Sequence, residues 1–329
     1  MSRWFRSAVT ATLLSLSGTA VAAGPTPPTP PTSPEPSLGD PMPPRMLPYP
    51  GGVTALADVQ YSGIDGFRPL ILDLYLPPER STAKPLLVYV HGGGWRGGHT
   101  RQSGAFSDFP GVLADLAARG YVVASVEYRL SGEARFPAAL DDVRSAIRFL
   151  RANAGQYGID GARVGVFGGS AGGQLSILEA VTCGGSPTGA DKADADQSDC
   201  PQAAVGWYGI YEFPAMPGQA ESKAEDDYLG CQMAKCSKAQ LAAASAIVHA
   251  DAKDPPLLLL HGENDKTVPV AQSRAMAARV QAVGGQVDLE VVPGVGHSWI
   301  GANDAETRAA SLHALDRTLR FFDQHLQRK

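Results

Sequence analysis

The sequence predicts an α/β fold: a mostly parallel central sheet with helices on both faces and no large cap domain. Two observations carry that expectation. Short apolar runs of strand length recur along the chain, and segments with apolar residues at helical spacing separate them. The composition agrees, because 44% hydrophobic and 19% charged residues in a chain of 329 suit a globular protein with a sizeable core.

Taken in order, the N-terminus reads as a secretory signal over residues 1–23. Arg3 and Arg6 give a positive start, "AVTATLLSLSGTAVAA" a short apolar segment, and Ala20-Val21-Ala22 the small-residue cleavage pattern. The segment falls short of the roughly 18–20 apolar residues that a membrane span needs, so no membrane anchor is expected. No cysteine lies near the cleavage point to carry a lipid. The expected location is secreted or periplasmic. Residues 24–50 are dominated by proline ("PTPPTPPTSPEPSLGDPMPP"), which opposes helix and most sheet and predicts an exposed linker. The folded domain is expected over residues 51–329.

Within that domain the strand candidates are "LILDLYL" (70–76), "LLVYV" (86–90), "YVVASVEY" (121–128), "RVGVF" (163–167), "AAVGWY" (203–208), "PLLLLHG" (256–262) and "VDLEVV" (287–292). Between them, "FPAALDDVRSAIRFLRANA" sets Phe136, Leu140, Val143, Ile147 and Leu150 at helical spacing. "VAQSRAMAARVQAVGG" predicts a helix ended by Gly284-Gly285, and "DAETRAASLHALDRTLRFFDQHL" a closing amphipathic one.

A net charge of −5 without a basic block argues against a nucleic-acid partner. Export would make the four cysteines disulfide partners. Cys183–Cys200 and Cys231–Cys236 is the pairing in which each bridge closes one polar excursion, out of three possible. A zinc site is the rival, disfavoured by irregular spacing and the lack of a nearby histidine.

The chemistry gathers around "VGVFGGSAGG" (164–173). Gly168-x-Ser170-x-Gly172 lies between a strand and a helix-compatible stretch, the setting of a sharp turn that lifts a serine hydroxyl out of the sheet. A serine near its free pKa is a poor nucleophile, so the turn needs a base and an oriented acid. "HGENDKTVP" offers Asp265 after one strand, with Glu263 as competing acid, and "PGVGHSW" offers His297 after the next. His249, His261, His313 and His325 fall in strand ends or helices and are expected to serve structure. "VYVHGGGWRGG" supplies bare backbone N–H groups. Those of Gly93 and Gly94, with that of Ala171, could bind a developing oxyanion. No GK[ST] follows, so a nucleotide-binding P-loop is excluded.

"HGGGW", "GGSAGG", "HGENDKTVP" and "PGVGH" together resemble, in order, the pattern of α/β-hydrolases of the esterase type. The nearest likeness is to bacterial HGGG-type esterases related to feruloyl and acetylxylan esterases. The resemblance covers nearly all of residues 51–329, including "YRLSGEARFPAALDDVRSAIRFL". It implies the α/β-hydrolase fold, with Ser170 as nucleophile, Asp265 as acid, His297 as base, and Gly93, Gly94 and Ala171 as oxyanion donors. Tyr128 and Asp142 match positions that are usually structural there. Lipase-like members carry helical caps ahead of the first strands. Here that region is the proline segment, and only residues 208–256 could form a small cover.

The expectation is therefore an exported serine esterase, acting as a monomer without a cofactor on an ester that is small or polymer-borne. Trp95, Trp207, Tyr208 and Trp299 are candidates to line its pocket. Two alternatives stand beside it: a serine peptidase of the prolyl-oligopeptidase type, and a catalytically silent hydrolase-like binding module.

Overall fold

The structure is a computed structural model that describes residues 45–185, 194–217 and 223–327. The predicted signal segment and most of the predicted linker lie outside the described residues.

Among the described residues nine strands form one sheet: β1 (Arg45–Pro48), β2 (Thr54–Ser62), β3 (Leu70–Leu76), β4 (Lys84–Val90), β5 (Val122–Val126), β6 (Ile159–Gly169), β7 (Ala203–Trp207), β8 (Leu257–Gly262) and β9 (Val287–Val292). Their order is β1-β2-β3-β5-β4-β6-β7-β8-β9. Pairing is antiparallel from β1 through to the β3–β5 contact, and parallel from β5–β4 onward. The helices are α1 (Phe109–Ala118), α2 (Ala138–Ala152), α3 (Ala154–Tyr157), α4 (Ala171–Thr182), α5 (Lys223–Leu229), α6 (Lys238–Ala244), α7 (Ala246–His249), α8 (Ala271–Ala282) and α9 (Asp304–Leu326).

Side-chain alternation divides the core into two layers. Along β4, Leu86, Val88 and Val90 join one buried cluster with Leu140 and Ile147 of α2, Leu175 of α4 and Met276 of α8. Leu87 and Tyr89 point the other way, into a cluster with Leu113 of α1 and Ala314 and Phe322 of α9. A strand covered on both faces needs apolar residues at every position, which is why the central strands read as unbroken apolar runs.

Two strands depart from the sequence expectation. β1 lies inside the predicted linker, so Arg45–Pro48 belong to the folded domain rather than to an exposed tether. A four-residue edge strand tolerates a terminal proline, and its composition hides it. β2 buries Ala55, Ala57, Val59 and Tyr61 while Asp58 and Gln60 stay exposed. Its strand period is carried by small alanines and forms no apolar run. Helix α1 is also absent from the predicted set; the Asp108 carboxylate caps it by accepting the Gly111 N–H at 3.0 Å.

Both expected disulfides are present, Cys183–Cys200 at the end of α4 and Cys231–Cys236 within residues 208–256. Among the described residues no helix is long and apolar enough to cross a membrane.

Candidate active site

Ser170 stands at the turn from β6 into α4 with φ 56° and ψ −120°, a conformation unfavourable for a residue with a side chain. Close approach of the flanking chain demands the two glycines. A Cβ on Gly168 would lie 2.4 Å from Val90 O, and one on Gly172 only 2.0 Å from it. The Ser170 N–H donates to Trp207 O at 2.9 Å, tying the turn to β7. Of the seven non-glycine residues with positive φ among those described, five (Trp95, Ser170, Tyr208, Ser298 and Trp299) lie in or directly against this region. Backbone strain is therefore concentrated where the candidate residues meet.

The parallel strands end at one edge, and their C-terminal loops bring the candidates together. His297 Nε2 lies 2.9 Å from Ser170 Oγ, and its Nδ1 lies 2.7 Å from Asp265 Oδ2. A carboxylate only accepts, so Nδ1 carries the ring proton. Nε2 is then left to accept the serine hydroxyl. Burial opposes ionisation of Asp265, yet the hydrogen bonds from His261, His297 and the Val268 N–H hold its carboxyl well below the usual carboxylate range. Glu263, the competing acid, is exposed on the same loop.

His297 is held by the turn that follows it. Gly296 N–H donates to Ile300 O at 2.8 Å. Trp299, with φ 66°, drives its indole into the core.

Beside Ser170 runs the glycine loop after β4. Gly93 has φ 112°, and a Cβ there would lie 2.2 Å from Gly97 O, so the loop closes on itself only with glycine at that position. Gly93, Gly94 and Ala171 all line a cleft of about 460 Å³ together with Ser170 and His297. Ala171 opens α4, whose N-terminal dipole favours negative charge at that point. Tyr128 donates its hydroxyl to His91 O at 2.9 Å and stacks on the His91 ring, fixing the start of the loop. Burial lowers His91 to about 4, so that ring stays neutral. Asp142 forms a buried two-pronged pair with Arg129, the residue after Tyr128.

The BD-FAE family profile matches residues 72–280. The chain belongs to the BD-FAE family, an α/β-hydrolase esterase family. It is 30% identical over 250 residues to Esterase LipC of Mycobacterium tuberculosis, covering 74% of this chain and 60% of that protein. The chain thus spans about three fifths of that relative's length. Among solved structures it resembles a truncated carbohydrate esterase from gut microbiota, with a TM-score of 0.72 and 25% identity. That alignment covers 85% of this chain and 99% of the other. It also resembles the propionate-bound esterase Est2 of Thermogutta terrifontis, with a TM-score of 0.67 and 25% identity, covering 82% and 95%.

In this BD-FAE chain the four aromatic candidates divide. Tyr208 and Trp95 line the cleft. Tyr208 packs against the His297 ring at 4.7 Å between centroids. Trp95 stacks on Tyr228 at 4.2 Å and donates its indole N–H to Gln174 Oε1 at 3.1 Å. Trp207 and Trp299 do not line the cleft, against the sequence expectation. Both are wholly buried and pack edge to face on each other, and Trp207 donates to Thr318 Oγ1 of α9 at 2.9 Å. A loop-end aromatic whose backbone faces the site can still send its ring into the core, and local sequence does not reveal which.

The described part of residues 208–256 holds α5, α6, α7 and two short 3-10 turns, and of these α5 gives Ala224 and Glu225 to the cleft wall. Gln102, Ser103, Gly104, Thr267 and Ser298 add wall residues that the sequence reading did not single out. The loop carrying 102–104 is clamped from behind, where buried Asp73 accepts from Thr100 Oγ1 and Arg101 Nε, each at 2.7 Å. Of the histidines expected to serve structure, His249 bonds Ala242 O, His313 pairs with Glu290 and His325 packs on Phe321. His261 differs from these, for it lies against Asp265.

Proposed function

We propose that the protein is an exported serine esterase that hydrolyses carboxylic esters through an acyl-enzyme on Ser170. The observation that carries the proposal is the continuous relay Ser170–His297–Asp265, with steps of 2.9 and 2.7 Å, opening on a cleft walled by the glycine loop.

In this reading Ser170 Oγ attacks the ester carbonyl carbon while His297 Nε2 takes its proton. Asp265 stays ionised and stabilises the imidazolium. The carbonyl oxygen becomes an oxyanion held by the N–H groups of Gly93, Gly94 and Ala171, reinforced by the α4 N-terminus. Collapse expels the alcohol, which leaves with the proton from His297. A water molecule, giving its proton to the same nitrogen, then attacks the acyl carbon; collapse breaks the bond to Ser170 Oγ, which takes the proton back from His297 as the acid is released.

The acyl donors we propose are acetyl or feruloyl esters of plant polysaccharide, or short-chain acyl esters. The likeness to a carbohydrate esterase supports this choice, as does a cleft that, among the described residues, only short helices cover, which leaves room for a bulky alcohol. The two disulfides and the N-terminal signal pattern support export.

The test is a panel of p-nitrophenyl esters set beside acetylated and feruloylated xylan, with Ser170→Ala as control. Release of acid by the wild type and none by the variant is the expected result. Turnover of peptide substrates in place of esters would replace the reading.

A further inference from the structure

Asp265 is held by more than His297. Its Oδ1 accepts the backbone N–H groups of Thr267 at 2.8 Å and Val268 at 2.9 Å. Its Oδ2, bonded to His297 Nδ1, also lies 3.4 Å from Nε2 of His261, a wholly buried residue near the end of β8. The His261 tautomer follows from its partners. Nε2 is 2.8 Å from Val268 O, which only accepts, so Nε2 carries the proton. Nδ1 then accepts the Ser273 hydroxyl of α8 at 2.7 Å. The ring is thereby clamped, with its N–H edge turned toward both the Val268 carbonyl and the Asp265 carboxylate.

We propose that His261 is a positioning residue for Asp265, pinning the turn whose N–H groups hold Oδ1 and presenting its own N–H edge to Oδ2. The inference rests on the Ser170–His297–Asp265 reading given above. A histidine serving packing alone needs only volume and two satisfied nitrogens. Here one of its hydrogen bonds ends on Val268, the residue that itself donates to the acid. Two residues of the same turn, Thr267 and Val268, also line the cleft, so the turn links buried ring to reacting groups. Asp265 restrained at both oxygens keeps its orientation when His297 becomes charged, which is the preorganisation that proton transfer requires.

The test compares His261→Leu, which removes both nitrogens, with His261→Gln, whose amide can still donate to Val268 O. In histidine-labelled protein the Nδ1–H of His297, assigned by its loss in His297→Ala, should broaden or vanish in His261→Leu and persist in His261→Gln. With a p-nitrophenyl ester, His261→Leu should lower kcat by on the order of 10- to 100-fold with KM within about threefold, and glutamine should recover most of the loss. In an Asp265→Asn background the leucine change should cost less than about twofold, because the group it acts through is already disabled. An undiminished loss in that background, or an unaltered His297 resonance in His261→Leu, overturns the proposal. If the leucine variant does not fold, Ser273→Ala takes its place, with a smaller loss that must likewise disappear beside Asp265→Asn. If the wild type hydrolyses no ester, the esterase reading fails and the resonance alone decides the role of His261.

Discussion

Ser170 and His297, 127 positions apart in the chain, meet with Oγ 2.9 Å from Nε2. The contact joins the loop after β6 to the loop after β9, two strands separated in the sheet by β7 and β8. Their geometry depends on the sheet as a whole, and on the particular residues that hold each loop.

The relay sets the pH dependence. The proton transfer requires His297 Nε2 free to accept the proton of Ser170. Asp265 should add no limb to the pH profile of kcat/KM, because its carboxyl is held well below the usual carboxylate range and is ionised throughout the working range. Asp265→Asn should cut turnover by about 10⁴ with the fold retained, and Glu263→Gln should do little. A pH–rate series on the three proteins checks this; a crippled Glu263→Gln enzyme would transfer the acid's role to Glu263.

The elbow makes a steric prediction. Gly172→Ala places a methyl group against Val90 O, at a distance no real Cβ tolerates, and backbone on both sides must shift. We expect loss of activity together with a lower melting temperature, measured by thermal unfolding. The neighbouring Ala171→Gly should be far milder, since it removes volume and keeps the N–H; equal damage from the two would contradict the close approach.

Each disulfide closes a short loop, with sequence separations of 17 and 5. The chain-entropy relation gives about 2–3 kcal/mol apiece at most. Replacing Cys183 and Cys200 together by serine should therefore lower stability by no more than that and leave the relay intact. Peptide mapping without reductant should recover Cys183–Cys200 and Cys231–Cys236; a crossed pairing would refute the assignment.

Glu179 of α4 is buried against Arg144, with Arg148 and Asp199 close by, and burial, aided by the Asp199 charge, outweighs the two arginines to push its carboxyl up to about 7. An unfolded glutamate ionises near 4.3, so the group's contribution is complete below that pH and is lost as pH rises toward 7. Relative to the wild type, Glu179→Gln should gain melting temperature progressively across that window. A constant difference across it would exclude the shift.

Much of the site was legible in the chain because its parts are local. The glycines around Ser170, the triple glycine after β4 and the order of Asp265 and His297 each require particular residue types within a few positions. The parts that escaped are relations between distant segments. β2 buries alternate residues, of which Ala55 and Ala57 are small, and Trp207 turns toward α9 instead of the cleft. His261 shares a stretch of sequence with Asp265, yet only the folded turn brings its ring against the carboxylate. Residue types pointed to Ser170, Asp265 and His297, which the fold brings into hydrogen-bond distance, but the supports behind them depend on tertiary packing.

The central claim, that Ser170 is an activated nucleophile, is tested most directly by peptide mass mapping after treatment with a fluorophosphonate. The account predicts one adduct per wild-type chain, on the peptide bearing Ser170, and none in a folded Ser170→Ala variant. Labelling of Ser170→Ala at the wild-type rate, or an adduct confined to another residue, would contradict it.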